Sequence, residues 1–170
     1  MPTMEWTEGL ELGVEAMDTT HREFVVLQNG LVDAADSEFL ELLDKFLDHT
    51  VEHFEQENRW MEQVGFPAID CHKGEHDRVV NVIRMVKEAA GKGDMAIGRR
   101  LVDELKPWFE NHAATMDAML AHVIRVNGFD PATGCCAHPV QDEDEAQGCA
   151  TSCGGGEHGH ANQTGCASAA

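Results

Sequence analysis

The chain has few basic residues. Of its 170 residues only 12 are Lys or Arg, against 31 Asp or Glu, so the formal net charge is −19. Residues 1–130 hold 26 acidic and 12 basic residues, a charge of −14, and residues 131–170 hold five acidic and no basic ones, a charge of −5. Negative charge repels nucleic acid phosphates and anionic lipid, so we expect neither as a partner.

Long apolar runs are also missing. No stretch approaches the ~20 residues that a membrane-spanning helix needs. The first 12 residues lack the basic and apolar regions of a signal peptide. We therefore expect a cytoplasmic protein that does not insert into membranes.

Breakers of regular structure are few before residue 130, and they separate four amphipathic stretches. Apolar residues recur at spacings of three and four, which predicts helices, and no strand pattern competes. Short connectors between four helices favour an all-α, up-down-up-down four-helix bundle. Pro107 should kink or break the last helix. Residues 1–17 are predicted to form an arm anchored by Trp6, Leu10 and Leu12. The predicted helices run from Asp18 to Asp36, from Ser37 to Gly65, from Asp70 to Gly91 and from Asp94 to Asn127.

The composition changes at about Pro131. Residues 131–170 contain seven of the 16 glycines, five of the six cysteines and no aromatic residue. Such a segment cannot bury enough apolar surface to fold alone. We predict a bundle domain over residues 1–130 and a disordered, Gly/Cys/His-rich acidic tail over residues 131–170.

Ionisable residues lie on the apolar stripe of every predicted helix. Pairs at i, i+4 lie one turn apart on the same face of a helix, so their side chains can converge. Buried polar groups are tolerable when a metal ion coordinates them. The stripes therefore predict a metal site inside the bundle. Its candidate ligands are His21, His53, Glu57, His72, His76, His112 and Asp117.

The number and type of these ligands indicate two ions. Imidazole and carboxylate without thiolate suit iron or manganese better than structural zinc. Seven ligands exceed what one ion takes. Two octahedral ions offer twelve positions, of which five histidines, two bridging carboxylates and one oxo or hydroxo bridge fill eleven. This arithmetic describes a di-iron site with one open coordination position.

The spacing of the last pair is a geometric problem. His112 and Asp117 are five residues apart, or about 140° around a regular helix. Three solutions exist: the helix crosses the end of the site, an Asp117 rotamer swings the carboxylate inward, or a π-bulge brings both residues onto one face.

The order of these residues resembles that of the hemerythrins: His21, then His53-Phe54-x-x-Glu57, then the two further pairs. The flanks are similar to the bacterial branch. They are Leu12 to Val14, Met17 to Thr20, Met61, Gly65 to Pro67 and Trp108 to Asn111. The resemblance covers about residues 4–127.

The resemblance implies a non-haem, oxo- or hydroxo-bridged di-iron protein that binds O2 reversibly. It implies that His72, His76 and His112 hold a six-coordinate iron and that His21 and His53 hold the iron with the open position. Glu57 and Asp117 would bridge the two ions. It also places Phe54, Trp108, Phe109 and Ala113 at an O2 pocket. The family usually has a bulky aliphatic residue where this chain has Ala113, so a wider pocket and faster autoxidation are expected.

The tail cysteines match no standard zinc or CxxC redox motif. In a reducing cytoplasm we expect thiols that are free or metal-bound rather than disulfides. A soft-metal site, a thiol switch and a tail without a specific site all remain open. The cysteines concerned are Cys135, Cys136, Cys149, Cys153 and Cys166, interspersed with His138, His158 and His160.

Three functions compete. The first is O2 carriage, storage or delivery, with an O2-consuming enzyme as a potential partner. The second is O2 or redox sensing, relayed through the tail to a redox partner. The third is a di-iron peroxidase or oxidase, which we disfavour because five histidines and two carboxylates favour reversible binding over O–O cleavage.

Overall fold

The computed structural model describes residues 3–136, and helices account for most of them. The last two long segments are joined by a π-helical segment, Ala113–Asp117, into one continuous fourth helix. A short 3-10 turn, Glu8–Leu10, precedes the first helix. The helices are α1, Glu15–Asp33; α2, Asp36–Val64; α3, Ile69–Gly91; α4, Met95–His112; and α5, Ala118–Val126.

The helices pack as the predicted four-helix bundle. Each packs against the next along the chain, and α1 also packs against α4, which closes the bundle. Two apolar clusters fill it, one around Phe24, Phe39 and Phe46 and a smaller one around Trp60 and Leu120. On every helix the candidate ligands fall between these clusters, so the polar site lies inside an apolar core. No helix within residues 3–136 is long and apolar enough to cross a membrane.

The arm is fastened to the bundle, as predicted, but α1 begins earlier than predicted. Leu10 is buried, and Trp6 and Leu12 are partly buried against the clusters. Asp18 does not cap α1, which starts at Glu15. Its buried carboxylate instead accepts hydrogen bonds from the backbone N–H groups of Leu12 and Gly13, at 2.7 and 3.0 Å. These tertiary hydrogen bonds outweigh the preference of aspartate for the N-cap position.

The other helix ends follow the local signals with one exception. Gly65 ends α2 in the left-handed conformation, with φ at 63°. Asp94 caps α4 by accepting a hydrogen bond from the Ile97 N–H at 3.2 Å. Of the kink or break predicted at Pro107, the break does not occur, because α4 continues through Pro107 to His112. The irregularity of this helix lies further on, in the π-helical segment.

A short hairpin follows the bundle. Strand β1, Phe129–Asp130, pairs antiparallel with strand β2, Cys135–Cys136. Phe129 is buried and Cys136 packs against the smaller apolar cluster, so residues up to 136 lie on the bundle. The disordered tail remains a prediction. Residues 137–170 lie outside the described residues, with Cys149, Cys153, Cys166 and the tail histidines.

Two cysteines take part in disulfide bonds. They are Cys71, in the first turn of α3, and Cys136, in β2. The expectation of free or metal-bound thiols, made for the tail cysteines, is therefore wrong for Cys136. It was based on the redox compartment alone, whereas a disulfide also depends on which thiols the fold brings together.

Candidate metal centre

All seven predicted ligands come together between the two apolar clusters. None of their side chains is more than 3% exposed. They form two groups, each with ligand atoms within 4.8 Å of one another. Glu57 belongs to both groups. The larger contains Asp117 and the three-histidine cluster (His72, His76, His112). The smaller contains the two-histidine cluster (His21, His53).

The π-helical segment puts His112 and Asp117 on one face. The Ala118 N–H donates to the Ala113 carbonyl, five residues back, where a regular α-helix would use four. The wider turn compensates for the five-residue spacing, and Asp117 Oδ1 lies 3.2 Å from His112 Nε2. The π-bulge is thus the solution that the chain adopts.

Glu57 lies between the two histidine clusters. Its Oε1 is 3.0 Å from His53 Nε2 and 3.4 Å from His21 Nε2. Its Oε2 faces the other cluster, 3.3 Å from His76 Nε2 and 3.7 Å from His72 Nε2. One carboxylate thus presents one oxygen to each cluster.

Asp117 repeats this arrangement from the fourth helix. Its Oδ2 lies 3.3 Å from His21 Nε2, and its Oδ1 lies 3.1 Å from His72 Nε2. Two carboxylates from different helices therefore span the same two clusters. This is the disposition that two bridging carboxylates need.

The nitrogens of the three-histidine cluster have the spacing of cis ligands. His112 Nε2 lies 3.2 Å from both His72 Nε2 and His76 Nε2. Three neutral imidazoles that approach one another through Nε2 cannot all form hydrogen bonds with one another. Cis ligands of an octahedral ion with ~2.1 Å metal–nitrogen bonds lie about 3.0 Å apart, close to the distances found here.

Several buried atoms of these side chains lack a hydrogen-bond partner within residues 3–136, so the side chains do not simply satisfy one another. His21 Nε2, Glu57 Oε2 and both Asp117 oxygens are buried without a hydrogen-bond partner within residues 3–136. Each of these atoms nevertheless lies 3.1–3.7 Å from an atom of another candidate ligand. Close approach without hydrogen-bond geometry fits atoms aimed at a shared cation, and buried orphan polar groups are costly otherwise. The donor set therefore fits two metal ions.

The protein's own charges keep both carboxylates ionised. Burial and the Asp117 charge would raise the pKa of Glu57, but His53 and His21 hold it well below its usual range. Burial would likewise raise the pKa of Asp117, but His112, His21 and His72 hold it well below its usual range. Ionised carboxylates are the ligand form.

His76 and His21 differ in the number of carboxylates that contact them, one for His76 and two for His21. Burial lowers the pKa of His76 to about 4, although Glu57 opposes this shift. Burial would lower the pKa of His21 too, but the carboxylates of Asp117 and Glu57 raise it to about 10. His21 thus sits where positive charge is most stabilised, and a metal ion there would displace its proton.

Phenylalanine rings enclose the two-histidine cluster. The Phe109 ring meets the His21 ring edge-on with centroids 5.2 Å apart, and Phe24 stacks on Phe109 at 4.3 Å. Phe24 also lies 6.2 Å from the His53 ring. Both phenylalanines are at most 1% exposed. They form an apolar wall beside this cluster.

Different aromatic contacts hold the three-histidine cluster. Phe54 stacks on His76 with centroids 3.9 Å apart and planes at 2°, and Trp108 stacks on His112 at 4.7 Å and 21°. The Trp108 Nε1–H donates to Glu75 Oε1 at 2.8 Å. These rings fix the orientation of two ligand imidazoles.

The residues predicted for the O2 pocket are therefore distributed over both clusters. Phe109 lies beside His21, and Trp108 lies against His112. Phe54 contacts both clusters, with its ring centroid 3.9 Å from that of His76 and 5.2 Å from that of His53. Ala113 is fully buried at the start of the π-helical segment. That these four residues line an O2 pocket stays a prediction.

A polar cleft of about 340 Å³ between α1 and α2 reaches the ligand His53. His49 lies in it, with its Nε2 3.2 Å from Glu23 Oε2 and its ring 6.0 Å from that of His53. Burial lowers the pKa of His49, although Glu23 opposes this shift. His49 thus joins α1 to α2 beside the site, as expected of an interfacial residue.

Residues that support the ligands were missed from the sequence. Asn58, Glu75 and Phe24 contact a ligand ring directly or through one neighbour. Phe24 falls on the apolar stripe three residues after His21, which a helical wheel shows. Asn58 and Glu75 each adjoin a ligand in the chain, but adjacency alone does not indicate a contact.

Comparisons with known proteins agree with the geometry. The family model described as the hemerythrin HHE cation binding domain matches residues 12–124. The chain is 45% identical over 130 residues to bacteriohemerythrin of Ralstonia nicotianae, covering 76% of this chain and 95% of that protein. It is 28% identical over 125 residues to bacteriohemerythrin of Methylococcus capsulatus, covering 70% and 95% of the two chains.

Proposed function

This chain belongs to the hemerythrin family, and from that premise we propose that it is a non-haem di-iron protein that binds O2 reversibly. Carriage, storage or delivery of O2 would be its role, and a protein that uses O2 would be its partner. We propose that it works in the cytoplasm.

One observation carries the proposal. Glu57 and Asp117 each direct one oxygen to the two-histidine cluster and the other to the three-histidine cluster. Two ions bridged in this way are unequally supplied with protein ligands. The ion at His21 and His53 has one histidine fewer, so it would keep a coordination position for a small molecule.

The donor set supports iron. Imidazole and carboxylate without thiolate are borderline and hard ligands, which suit iron and manganese. Two irons, when bound, would supply the electrons that reversible O2 binding requires. The protein would hold them with ionised carboxylates, which the neighbouring histidines favour. Burial keeps His76 neutral, and a metal ion would displace the proton of His21.

The apolar wall suits reversible binding. Phe24 and Phe109 occupy the space beside the two-histidine cluster and would exclude water from that side of it. Water and protons at such a site promote the loss of superoxide and leave ferric iron. The protein's contribution is therefore a dry, rigid pocket. Enzymatic oxidation is disfavoured because the donor set is rich in histidine and contains only two carboxylates.

Metal analysis and spectroscopy together test the proposal. Purified protein should contain two irons per chain, with little zinc. A matched variant, Asp103→Ala, replaces an exposed aspartate of α4 and should leave this content unchanged. A content of one metal per chain, or zinc in preference to iron, would contradict the di-iron proposal.

A second candidate function, thiol-linked redox sensing, is favoured by the disulfide at Cys71. Cys71 directly precedes the ligand His72. Cys136 packs on the apolar cluster that contains Phe66, whose ring lies 6.1 Å from that of His72. Reduction of this disulfide by a dithiol would therefore change the surroundings of the three-histidine cluster.

The sensing candidate predicts that a dithiol changes the autoxidation rate of the parent protein. The variant Cys71→Ser should not respond to the same treatment. An equal rate in the parent protein before and after reduction would leave O2 carriage as the proposed function.

A further inference from the structure

Among the candidate ligands His21, His53, His72 and His76, only His76 has a hydrogen-bond partner at Nδ1 within residues 3–136. The Nδ1 atoms of His21, His53 and His72 are buried without a hydrogen bond within residues 3–136. His76 differs, because its Nδ1 lies 3.2 Å from Asn58 Oδ1. A ligating imidazole generally donates its second ring N–H to a nearby acceptor, which fixes its tautomer and orientation.

The Asn58 contact has the polarity that a ligand needs. His76 Nε2 points into the site, 3.2 Å from His112 Nε2 and 3.3 Å from Glu57 Oε2. For Nε2 to act as a ligand through its lone pair, the ring proton must reside on Nδ1. The Asn58 side-chain oxygen is positioned to accept a hydrogen bond from that N–H. The amide nitrogen would favour the opposite tautomer, so the orientation of the amide matters.

One turn of α2 supplies three functions to the same centre. Glu57 provides the carboxylate that faces both clusters. Phe54, one turn before Asn58, stacks on His76 and sets the plane of its ring. Asn58 constrains rotation of the ring within that plane, which stacking alone leaves free. Each contact restricts a different degree of freedom of one imidazole.

We propose that Asn58 is a positioning residue for His76: its side-chain carbonyl holds the Nδ1–H tautomer and so secures the metal at the three-histidine cluster. The inference rests on the proposed di-iron function and assigns a role that the ligand set itself does not include. Asn58 is half-buried at the surface of the site, so it can be changed without opening a large cavity.

Two substitutions separate hydrogen bonding from packing. Asn58→Leu keeps the approximate shape but removes the acceptor, and Asn58→Asp keeps an acceptor of the same size. Loss of such a partner typically lowers metal affinity about 10- to 100-fold. We therefore expect ferrous iron to leave Asn58→Leu for a soluble chelator at least about 10-fold faster than it leaves the parent protein. Asn58→Asp should retain iron at least as well as the parent. Asn81→Leu, at an exposed asparagine of α3, is the matched control and should behave like the parent.

A second measurement does not depend on bound iron. Nitrogen-15 NMR of the histidine rings in the metal-free protein should show His76 protonated at Nδ1 in the parent and a loss of that preference in Asn58→Leu. Parent-like iron release and an unchanged His76 tautomer in Asn58→Leu would overturn the role of Asn58. Absence of iron from the parent itself would instead overturn the proposed function, so the two failures are distinguishable.

Discussion

The two histidine clusters share both carboxylates but differ in what surrounds their rings. In the three-histidine cluster, Phe54 and Trp108 stack face to face on His76 and His112, and Asn58 and Glu75 add polar contacts. In the two-histidine cluster, phenylalanine edges meet the rings, and neither Nδ1 has a hydrogen-bond partner within residues 3–136.

The surroundings of the three-histidine cluster favour firm binding of a metal ion. Those of the two-histidine cluster favour a metal ion that stays accessible. Stacking and hydrogen bonding immobilise imidazoles, which favours a filled coordination sphere. Apolar contacts cover the phenylalanine side of the other cluster without adding ligands. The same bundle thus presents one supported cluster and one enclosed cluster a few ångströms apart, joined by Glu57 and Asp117. Reversible O2 binding requires both properties.

Removal of a shared carboxylate should have the largest effect. Asp117→Ala takes a ligand from both clusters, so we expect iron to fall from two to less than one per chain. Iron analysis of protein loaded under anaerobic conditions measures this. Asp103→Ala is the control. Two irons retained by Asp117→Ala would show that the aspartate does not bridge.

Replacement of a wall residue should affect the two clusters unequally. Phe109→Leu lets water approach His21, so we expect several-fold faster autoxidation with the iron content unchanged. Phe39→Leu changes an equally buried ring in the same apolar cluster and should leave the rate as it is. Each exchange should cost roughly 1 kcal/mol of unfolding free energy. Stopped-flow and thermal unfolding measurements give both quantities.

The same exchange at Phe54 sharpens the comparison. Phe54 stacks on His76 at 3.9 Å and lies tilted 5.2 Å from the His53 ring, so Phe54→Leu should accelerate iron loss more than autoxidation. If Phe54→Leu instead autoxidises as fast as Phe109→Leu, its contact with His53 matters more than its stacking on His76.

A smaller effect is expected at Ala113, where the family usually has a larger side chain. Ala113→Ile should slow autoxidation by narrowing the access of water. Because Ala113 is fully buried, the added carbons should also cost about 1–3 kcal/mol through overpacking. An unchanged or faster autoxidation rate would show that this residue does not control access.

The smallest effect is expected from shortening the chain. Ending it after Cys136 keeps the hairpin and every candidate ligand, so iron content and visible spectrum should be unchanged. A companion variant that ends after Asp130 also loses strand β2 and should be less stable to heat. Loss of iron on removal of residues 137–170 would give those residues a part in metal loading.

The convergence of most candidate ligands could be predicted from the sequence, because the pairs His53–Glu57 and His72–His76 lie one helical turn apart on an apolar stripe. For His112 and Asp117 the sequence left three solutions open, of which the π-bulge is one. A five-residue spacing does not indicate which distortion brings the two side chains onto one face. The start of α1 was predicted three residues too late, at Asp18, because the Asp18 carboxylate accepts hydrogen bonds from the arm instead of capping the helix. The Asn58 contact and the Cys71 disulfide depend on side chains from different helices or distant segments, which periodicity along the chain does not encode.

The visible spectrum of the reduced protein tests the central claim most directly. The protein is reduced without air, its spectrum is recorded, air is admitted, and the sample is then degassed. We predict a charge-transfer band that appears with air and disappears on degassing over repeated cycles, at two irons per chain. A band that never forms, or one that remains after degassing with iron left ferric, would contradict reversible O2 binding at this centre.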